Sequence, residues 1–333
     1  MLSEQRSGSN FSLKGKMKPS TVREAKLSDC QILAILMEES AKEQETEGGL
    51  RCKDLEKKLF ANHPIVETIV NEQEEGVITG YIIFTYRYAS TSNLVPFISD
   101  LYVIPEHRRN GIATALWNAM VQKALALGCK SCEVITKSPN EFLLSLGAFD
   151  ATEFGKELVY EIEEEAIKQF IKRKDSPNKF TLREATMSDV GDIVEGVKAL
   201  HLYLGKLHEV VCNETELLQH GFGKPRYLKL FVAEQNGVIV GYSMFSYTFG
   251  LDGTKIFMED LYVSPECRGT GMGMALWLAI LKEGLQKGIS RCNHTVDAHN
   301  KPSMAFYKSH GAYDASQIKN THLFKIPLDK ISI

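Results

Sequence analysis

Met258-Glu-Asp-Leu-Tyr-Val-Ser-Pro-Glu-Cys-Arg-Gly-Thr-Gly-Met-Gly-Met-Ala-Leu-Trp277 joins a strand-like run to a helix-like run through a loop that contains three glycines. An imperfect copy, Ile98-Ser-Asp-Leu-Tyr-Val-Ile-Pro-Glu-His-Arg-Arg-Asn-Gly-Ile-Ala-Thr-Ala-Leu-Trp117, lies 160 positions earlier. Glycines permit backbone torsions and close approaches that a Cβ would block, and the N-terminus of a helix attracts anions. The segment therefore predicts a duplicated fold whose loops are suited to a phosphate-bearing ligand.

The duplication extends over most of the chain. Arg23-Glu-Ala25 recurs as Arg183-Glu-Ala185 at the same offset, and Gly147-Ala148 recurs as Gly311-Ala312 four positions later than that offset predicts. This internal repeat predicts two similar domains joined by a short connection. We expect a disordered tail at residues 1–19, a first domain at 20–165, a linker at 166–177 and a second domain at 178–330.

Local patterns predict the same α/β (α+β) architecture in both repeats. In the second repeat, the stretches 238–247 and 256–263 are rich in β-branched and aromatic residues, which favour strands. Apolar residues spaced three and four apart after Gly273 predict a helix. Leu323-Phe-Lys-Ile326 is expected to complete the second sheet, and the charged stretch 163–174 is expected to be helical.

Composition narrows the function classes. The 333 residues are 44% hydrophobic and 24% charged, as in soluble globular proteins, and no apolar run approaches the ~20 residues that span a bilayer. No basic stripe with interleaved aromatic residues suggests nucleic acid as a partner. The seven cysteines are irregularly spaced, which favours reduced thiols and a cytoplasmic location. Cys129-x-x-Cys132 has no second pair, so no metal site is expected.

The loop at 268–273 does not fit the common nucleotide motifs. A dinucleotide fingerprint would need glycine where Met274 stands, and the loop has no Gly-Lys-Ser/Thr as in a nucleotide P-loop. On the loop alone, a phosphate site and a ligand-free turn between strand and helix are equal alternatives.

The wider context distinguishes these alternatives. Arg-x-x-Gly-x-Gly/Ala after such a strand, followed by Asn300, Phe306-Tyr-Lys308 and Gly311-Ala312, resembles the GNAT acyl-CoA-dependent N-acetyltransferases over nearly the whole of both repeats. The second repeat is most similar to the diamine and thialysine acetyltransferases. The segments that carry this resemblance are Glu216–Phe222, Met258–Asp260, Asn300–Ser303, Phe306–Lys308 and Leu323–Ile326. The resemblance implies two tandem GNAT domains, each a mixed sheet flanked by helices, with acetyl-CoA as cosubstrate.

The resemblance also implies roles for residues of the second repeat. A primary alkyl amine with a pKa near ~10.4 is mostly protonated at neutral pH, so the transfer needs a base, and the departing thiolate needs an acid. Glu259 would take the amine proton, through water, and Tyr307 would protonate the thiolate. Tyr203 and Asp260 would contact the acceptor. The residues implied to bind the cosubstrate are Leu261, Tyr262, Val263, Arg268, Gly269, Thr270, Gly271, Met272, Gly273, Met274, Asn300, Lys301, Pro302 and Tyr307.

The expected acceptor is the primary amine of a small molecule, namely a short diamine, a polyamine or a lysine-like amino acid. Leu204 stands where diamine acetyltransferases carry an acidic residue, and residues 176–333 hold 17 basic and 16 acidic side chains. This balance offers little attraction to a long polycation, which disfavours a long polyamine. Two alternatives stay open: a protein or peptide N-acetyltransferase, and a CoA-binding regulator without turnover.

The first repeat lacks the residues that this chemistry needs. Ser99 stands at the position of Glu259, Leu143 stands at that of Tyr307, and four residues are lost around the counterpart of Asn300. We predict that this domain is non-catalytic and forms an intramolecular pseudo-dimer with the second domain. Its loop still satisfies the motif and is a second candidate cofactor loop, formed by Arg108, Arg109, Asn110, Gly111, Ile112 and Ala113.

Overall fold

The computed structural model describes residues 20–46, 52–60, 66–137, 141–172 and 180–328. The tail predicted at 1–19, residues 173–177 of the predicted linker, and residues 138–140 near the predicted four-residue loss lie outside these ranges.

Helices and strands follow nearly the same order in the two repeats of the described residues, except that α10 of the second repeat has no helical counterpart between β6 and β7. The helices are α1 (Cys30–Glu43), α2 (Cys52–Leu59), α3 (Ile112–Ala126), α4 (Glu141–Ser145), α5 (Glu164–Ile171), α6 (Val190–Tyr203), α7 (Glu214–Phe222), α8 (Met272–Gln286), α9 (Lys301–Ser309) and α10 (Ala315–Ile318). The strands are β1 (Ser20–Glu24), β2 (Val66–Gln73), β3 (Ile78–Ala89), β4 (Asn93–Val103), β5 (Ser131–Thr136), β6 (Phe149–Asp150), β7 (Glu157–Ile162), β8 (Thr181–Glu184), β9 (Lys229–Gln235), β10 (Val238–Gly250), β11 (Gly253–Val263), β12 (Cys292–Asp297), β13 (Tyr313–Asp314) and β14 (His322–Pro327).

The strands form two seven-stranded mixed sheets. Neighbouring strands follow the order β1-β2-β3-β4-β5-β14-β6 in the first sheet and β13-β7-β12-β11-β10-β9-β8 in the second. The pairs β4/β5 and β11/β12 are parallel, and the other pairs are antiparallel. Helices α3 and α8 each cover one sheet, and their side chains Trp117 and Trp277 are fully buried. The predicted mixed α/β architecture with flanking helices is confirmed.

Each sheet contains strands from the other half of the chain. β14 pairs with β5 and β6, and β7 pairs with β12 and β13. The prediction that Leu323-Phe-Lys-Ile326 completes the second sheet was therefore wrong, because Phe324 and Ile326 are buried in the core of the first sheet. Alternation of buried and exposed side chains specifies a strand and its inner face, but it does not specify which of two similar sheets receives the strand.

The two halves also meet between β3 and β10. The Tyr88 amide donates a hydrogen bond to Ser246 Oγ at 3.2 Å, and the Tyr88 side chain is buried in a core formed by the second half. The stretch predicted to be helical contains α5, whose Phe170 ring lies 5.3 Å from the Trp277 ring. These contacts fix the first half beside the ends of β11 and β12, where the predicted catalytic residues lie.

Candidate active site

Strand β11 is irregular at the predicted base. Its register with β10 shifts between Met244 and Phe245, so that Glu259 is the extra, unpaired residue of a β-bulge. Parallel pairing with β12 covers Ile256 to Met258 and ends there. A bulge redirects a side chain, and the separation of the two strands leaves the backbone of residues 261–263 accessible on the β12 side. This geometry fits the predicted pairing of that backbone with a pantetheine arm.

The second glycine loop has the conformation that an anion site requires. Gly269 and Gly271 have φ angles of +75° and +87°, which side chains with a Cβ rarely adopt. Helix α8 begins at Met272, one residue before the predicted start, and the amides of its first turn lack partners within the helix. Arg268 donates from Nε to the Val263 carbonyl at 3.0 Å, and its guanidinium lies 5.2 Å from the centre of the Tyr203 ring. The loop therefore fits a pyrophosphate group.

The first loop has the same backbone but different side-chain partners. Arg109 and Gly111 have φ angles of +62° and +77°, and α3 begins at Ile112. Arg108 donates from Nη2 to both carboxylate oxygens of Glu43, at 2.7 and 2.8 Å. Glu43 occupies the position that Tyr203 has in the second repeat. In this loop a carboxylate already holds the arginine that would meet a phosphate.

Glu259 is buried and carries one engaged and one free carboxylate oxygen. Arg87, which lies on β3 of the first repeat, donates from one guanidinium nitrogen to Glu259 Oε2 and from another to Glu133. Glu259 Oε1 is buried and has no hydrogen-bond partner among the described residues, and Glu259 is one of the residues that line the pocket. Burial raises the pKa of Glu259 to about 8, although Arg87 acts in the opposite direction. Such a carboxyl group can ionise near neutral pH and accept a proton at Oε1.

Tyr307 lies in the same pocket, on α9. Aromatic rings hold its phenol ring: the ring centres of His294, Trp277 and Tyr160 lie 4.1, 5.0 and 6.4 Å away. Tyr160 belongs to the exchanged strand β7, so the first half of the chain helps to position the predicted acid. Burial raises the pKa of Tyr307 above its usual value, so the phenol keeps its proton at neutral pH.

The histidine and the asparagine near this tyrosine have different roles. His294 is fully enclosed, and burial lowers its pKa to about 3, so it is a neutral core residue. Asn300 Oδ1 accepts a hydrogen bond from the Ser303 amide at 3.2 Å and caps α9, and Asn300 also lines the pocket. Lys301 and Pro302 are exposed at the start of α9.

Asp260 is buried beside this pocket. The Tyr242 hydroxyl donates to its Oδ2 at 3.3 Å, and burial raises the pKa of Asp260. The first repeat has the same pair in Tyr81 and Asp100. Because the pair recurs where the predicted base is missing, it stabilises the fold of both repeats. Tyr203, the other predicted acceptor contact, lies by the glycine loop with about half of its surface exposed and does not line the pocket.

Both halves of the chain line the pocket, in which acidic side chains outnumber basic ones. Lys206 pairs with Asp297 at 3.0 Å, and Lys325 pairs with Glu157 at 2.7 Å. The acidic lining residues are Glu133, Glu157, Glu209, Glu259, Asp260 and Asp297, and the basic ones are Arg87, Lys206 and Lys325. The contributions of the first half were not predicted from the sequence. Charged residues inside otherwise apolar strands, such as Arg87 in β3 and Glu133 in β5, were the available signal.

The sequence model of the Acetyltransferase (GNAT) family matches residues 32–146 and 200–312, which together exceed half of the chain. The chain belongs to this family. It is a GNAT acetyltransferase with two tandem domains, and GNAT enzymes use an acyl-CoA cosubstrate. Within the described residues of this GNAT protein, no helix is long and apolar enough to cross a membrane.

Several characterised GNAT proteins are similar to one repeat of this chain. The thialysine N-epsilon-acetyltransferase of Bos taurus is 31% identical over 153 residues, which cover 43% of this chain and 90% of that protein. The Mus musculus protein of the same name is 31% identical over 145 residues, covering 41% and 85%. The spermidine/spermine N(1)-acetyltransferase-like protein 1 of Homo sapiens is 25% identical over 167 residues, covering 48% and 24%.

Solved structures resemble the whole chain in fold. A tandem GNAT protein from the clavulanic acid biosynthesis pathway aligns with a TM-score of 0.53 at 14% identity, covering 94% of this chain and all of that one. A GCN5-related N-acetyltransferase from Sphaerobacter thermophilus aligns with a TM-score of 0.53 at 16% identity, covering 94% and 97%. The tandem arrangement of two GNAT domains is therefore a known fold.

Proposed function

We propose that this GNAT protein transfers the acetyl group of acetyl-CoA directly to a primary amine of a small molecule, in the second repeat. One observation carries the proposal: Glu259 with a free Oε1 and Tyr307 with a retained proton line one pocket beside the separated strands. The lone pair of the amine nitrogen attacks the thioester carbonyl carbon, and the carbon–sulfur bond breaks. Glu259 takes a proton from the amine, through water, and Tyr307 gives one to the sulfur.

The glycine loop and the adjacent backbone would hold the cosubstrate. The amides of residues 269–274 and the Arg268 guanidinium are suited to the pyrophosphate, and the backbone of residues 261–263 is suited to the pantetheine arm. Asn300, Lys301 and Pro302 would border the same arm from the start of α9. The Val263 amide would polarise the thioester carbonyl.

The charge of the pocket favours a cationic acceptor. Lys206 and Lys325 are already paired with carboxylates, and the acidic lining residues outnumber the basic ones. Glu133 and Glu157 come from the first half. The near-neutral charge balance of the second repeat therefore understates the attraction of the pocket for a cationic acceptor. The cavity volume of about 160 Å³ is below the ~300–1,000 Å³ of drug-sized sites. We therefore place a short diamine first, ahead of a lysine-like amino acid, whose carboxylate would meet the acidic wall, and ahead of a long polyamine.

The localisation and the assembly belong to the same proposal. Buried, unpaired thiols such as Cys129, whose pKa burial raises to about 12, suit the reducing cytoplasm. The exchanged strands support an intramolecular pseudo-dimer in which the first repeat carries no second active centre.

Release of free thiol from acetyl-CoA tests the proposal. The acceptor panel contains propane-1,3-diamine, putrescine, spermidine, lysine, thialysine and a lysine-containing peptide, and we expect the short diamines to give the highest kcat/KM. The rate should rise with pH through about 8, since Glu259 is protonated and inactive as a base below its pKa. Glu259→Gln should lower kcat/KM by about 10²-fold and remove the inflection near pH 8, leaving the pH dependence that comes from the acceptor amine itself.

Glu266→Gln provides the matched control, since Glu266 is an exposed glutamate in the connection that follows β11. It should leave the rate unchanged. Turnover with the peptide alone would favour a protein N-acetyltransferase. Binding of acetyl-CoA without thiol release for any acceptor would overturn the proposal in favour of a regulator.

A further inference from the structure

Arg87 is a fully enclosed arginine at the centre of a contact between the two repeats. It lies near the end of β3, and only 4% of its surface is exposed. Its guanidinium donates to Glu259 of the second repeat and to Glu133 of the first, and it lies 4.0 Å from the centre of the Phe257 ring. A buried arginine with two carboxylate partners and an aromatic face has little freedom to move.

The arginine–glutamate contact exists on one side of the pseudo-dimer. Counted from the matched Gly80 and Gly241, the position of Arg87 holds Thr248 in the second repeat. The position of Glu259 holds Ser99 in the first repeat. The equivalent positions in the opposite repeats therefore hold Thr248 and Ser99, neither of which carries a charge. The arginine is therefore present only on the repeat that faces the predicted base.

The charges around Glu259 give this arginine a specific task. Burial opposes ionisation of the carboxyl group, and so do the neighbouring carboxylates of Glu133 and Asp260. Arg87 favours the ionised form of Glu259, both through its charge and through its hydrogen bond. Lys325 faces Glu133 and Glu157 instead, with its nitrogen 4.0 Å from the nearer oxygen of Glu133.

We propose that Arg87 is a positioning residue through which the non-catalytic repeat serves the active site of the other: it holds Oε2 of Glu259, leaves Oε1 without a hydrogen-bond partner and favours the ionised carboxylate. This inference rests on the proposed function, since it assigns Arg87 to the base of that reaction. It gives the first repeat a role in catalysis without a reaction of its own.

Two substitutions test the proposal because they should act in opposite directions. Arg87→Met removes the favourable charge, so the pH at which the base ionises should rise by at least about one unit, and kcat/KM at pH 7 should fall about tenfold or more. Glu133→Gln removes an unfavourable charge and frees Arg87 for Glu259, so the same pH midpoint should fall. Arg87→Lys should restore part of the rate, because it keeps the charge but loses the second hydrogen bond.

The pH midpoint is measured in two ways on the full chain. The first is the pH profile of kcat/KM for the best acceptor. The second is a carboxyl ¹³C NMR titration without acceptor, in which the Glu259 signal is assigned by its loss in Glu259→Gln. Arg183→Met, which breaks an ion pair with Asp189 in the second repeat, controls for the loss of an arginine and should leave the midpoint unchanged.

Unshifted midpoints in folded Arg87→Met and Glu133→Gln would overturn the proposal, and so would shifts of the same sign. If Arg87→Met does not fold, Arg87→Lys and Glu133→Gln still decide the sign of the shift in the pH midpoint. The titration also separates the two hypotheses: opposite shifts without turnover would leave the role of Arg87 standing and reject the proposed function. Turnover with unshifted midpoints would support the proposed function and reject the role of Arg87.

Discussion

The two glycine loops of this chain have one backbone shape and two sets of side-chain partners. Gly269 and Arg109 share a positive φ, as do Gly271 and Gly111, and a helix of 15 residues follows each loop. In the second loop Arg268 lies over the ring of Tyr203, whereas in the first loop Arg108 is engaged by Glu43. The fold needs the turn between strand and helix, so packing retains its shape even where the residue is not glycine. Packing does not dictate whether a phosphate can bind.

The strand that precedes each loop also has one backbone shape and different side chains in the two repeats. Both Glu259 and Ser99 are the extra residue of a β-bulge, so the bulge is common to both repeats, whereas the carboxylate of the predicted base is present in the second repeat and not at Ser99. Leu143 is buried in the same core as Trp117, just as Tyr307 lies against Trp277. Leucine preserves the packing of this position and removes the proton.

The largest expected effect is that of the tyrosine that separates the repeats. Tyr307→Phe keeps the ring among Trp277 and His294 and removes the proton donor, so kcat should fall about 10²–10⁴-fold while the affinity for acetyl-CoA changes little. Steady-state kinetics and calorimetry measure the two quantities. Tyr86→Phe is the matched control, because the hydroxyl of Tyr86 is buried without a hydrogen-bond partner among the described residues. An unchanged kcat in Tyr307→Phe would show that Tyr307 is not the proton donor and that this position does not distinguish the two repeats in catalysis.

The next prediction concerns the exchanged strand. Ile326→Ala changes a residue near the C-terminal end of the described chain but opens a cavity in the core of the first sheet, at a cost of about 2–5 kcal/mol. Hydrogen exchange should show the larger loss of protection in β5 rather than in β12. Ile280→Ala, in the core of the second half, should give the opposite pattern. A loss of protection confined to β12 in Ile326→Ala would contradict the observed exchange of strands.

The smallest expected effect concerns the charge at the first loop. Glu43→Tyr copies Tyr203 and frees Arg108, so acetyl-CoA should bind at a second site and raise the stoichiometry from one to two per chain. The reverse change, Tyr203→Glu, should weaken binding at the second loop by about 1 kcal/mol at low salt, and added salt should reduce the loss. Titration calorimetry at two ionic strengths measures both. Two sites in the unchanged protein would show that Glu43 does not block the first loop.

Much of the fold and part of the site could be predicted from the sequence. The repeat, the glycine loops and the strand and helix patterns depend on local periodicity and turn chemistry, which neighbouring residues specify. The pairing of Glu259 with Arg87 could not be predicted, because it joins residues 172 positions apart on different sheets. Charge counted along each repeat could not predict the charges that line the pocket for the same reason, since Glu133 and Glu157 enter it from the other half.

By itself, the sequence determined that the chain is a duplicated GNAT protein and that the two copies differ at the positions of Glu259 and Tyr307. Residue identity and spacing are enough for that, because each loop and bulge is built from adjacent residues. Only the tertiary structure decided that β7 and β14 change places and that Arg87 of the first repeat pairs with Glu259 of the second. Two sheets of similar shape accept either strand, so the packing of the whole chain selects the partner.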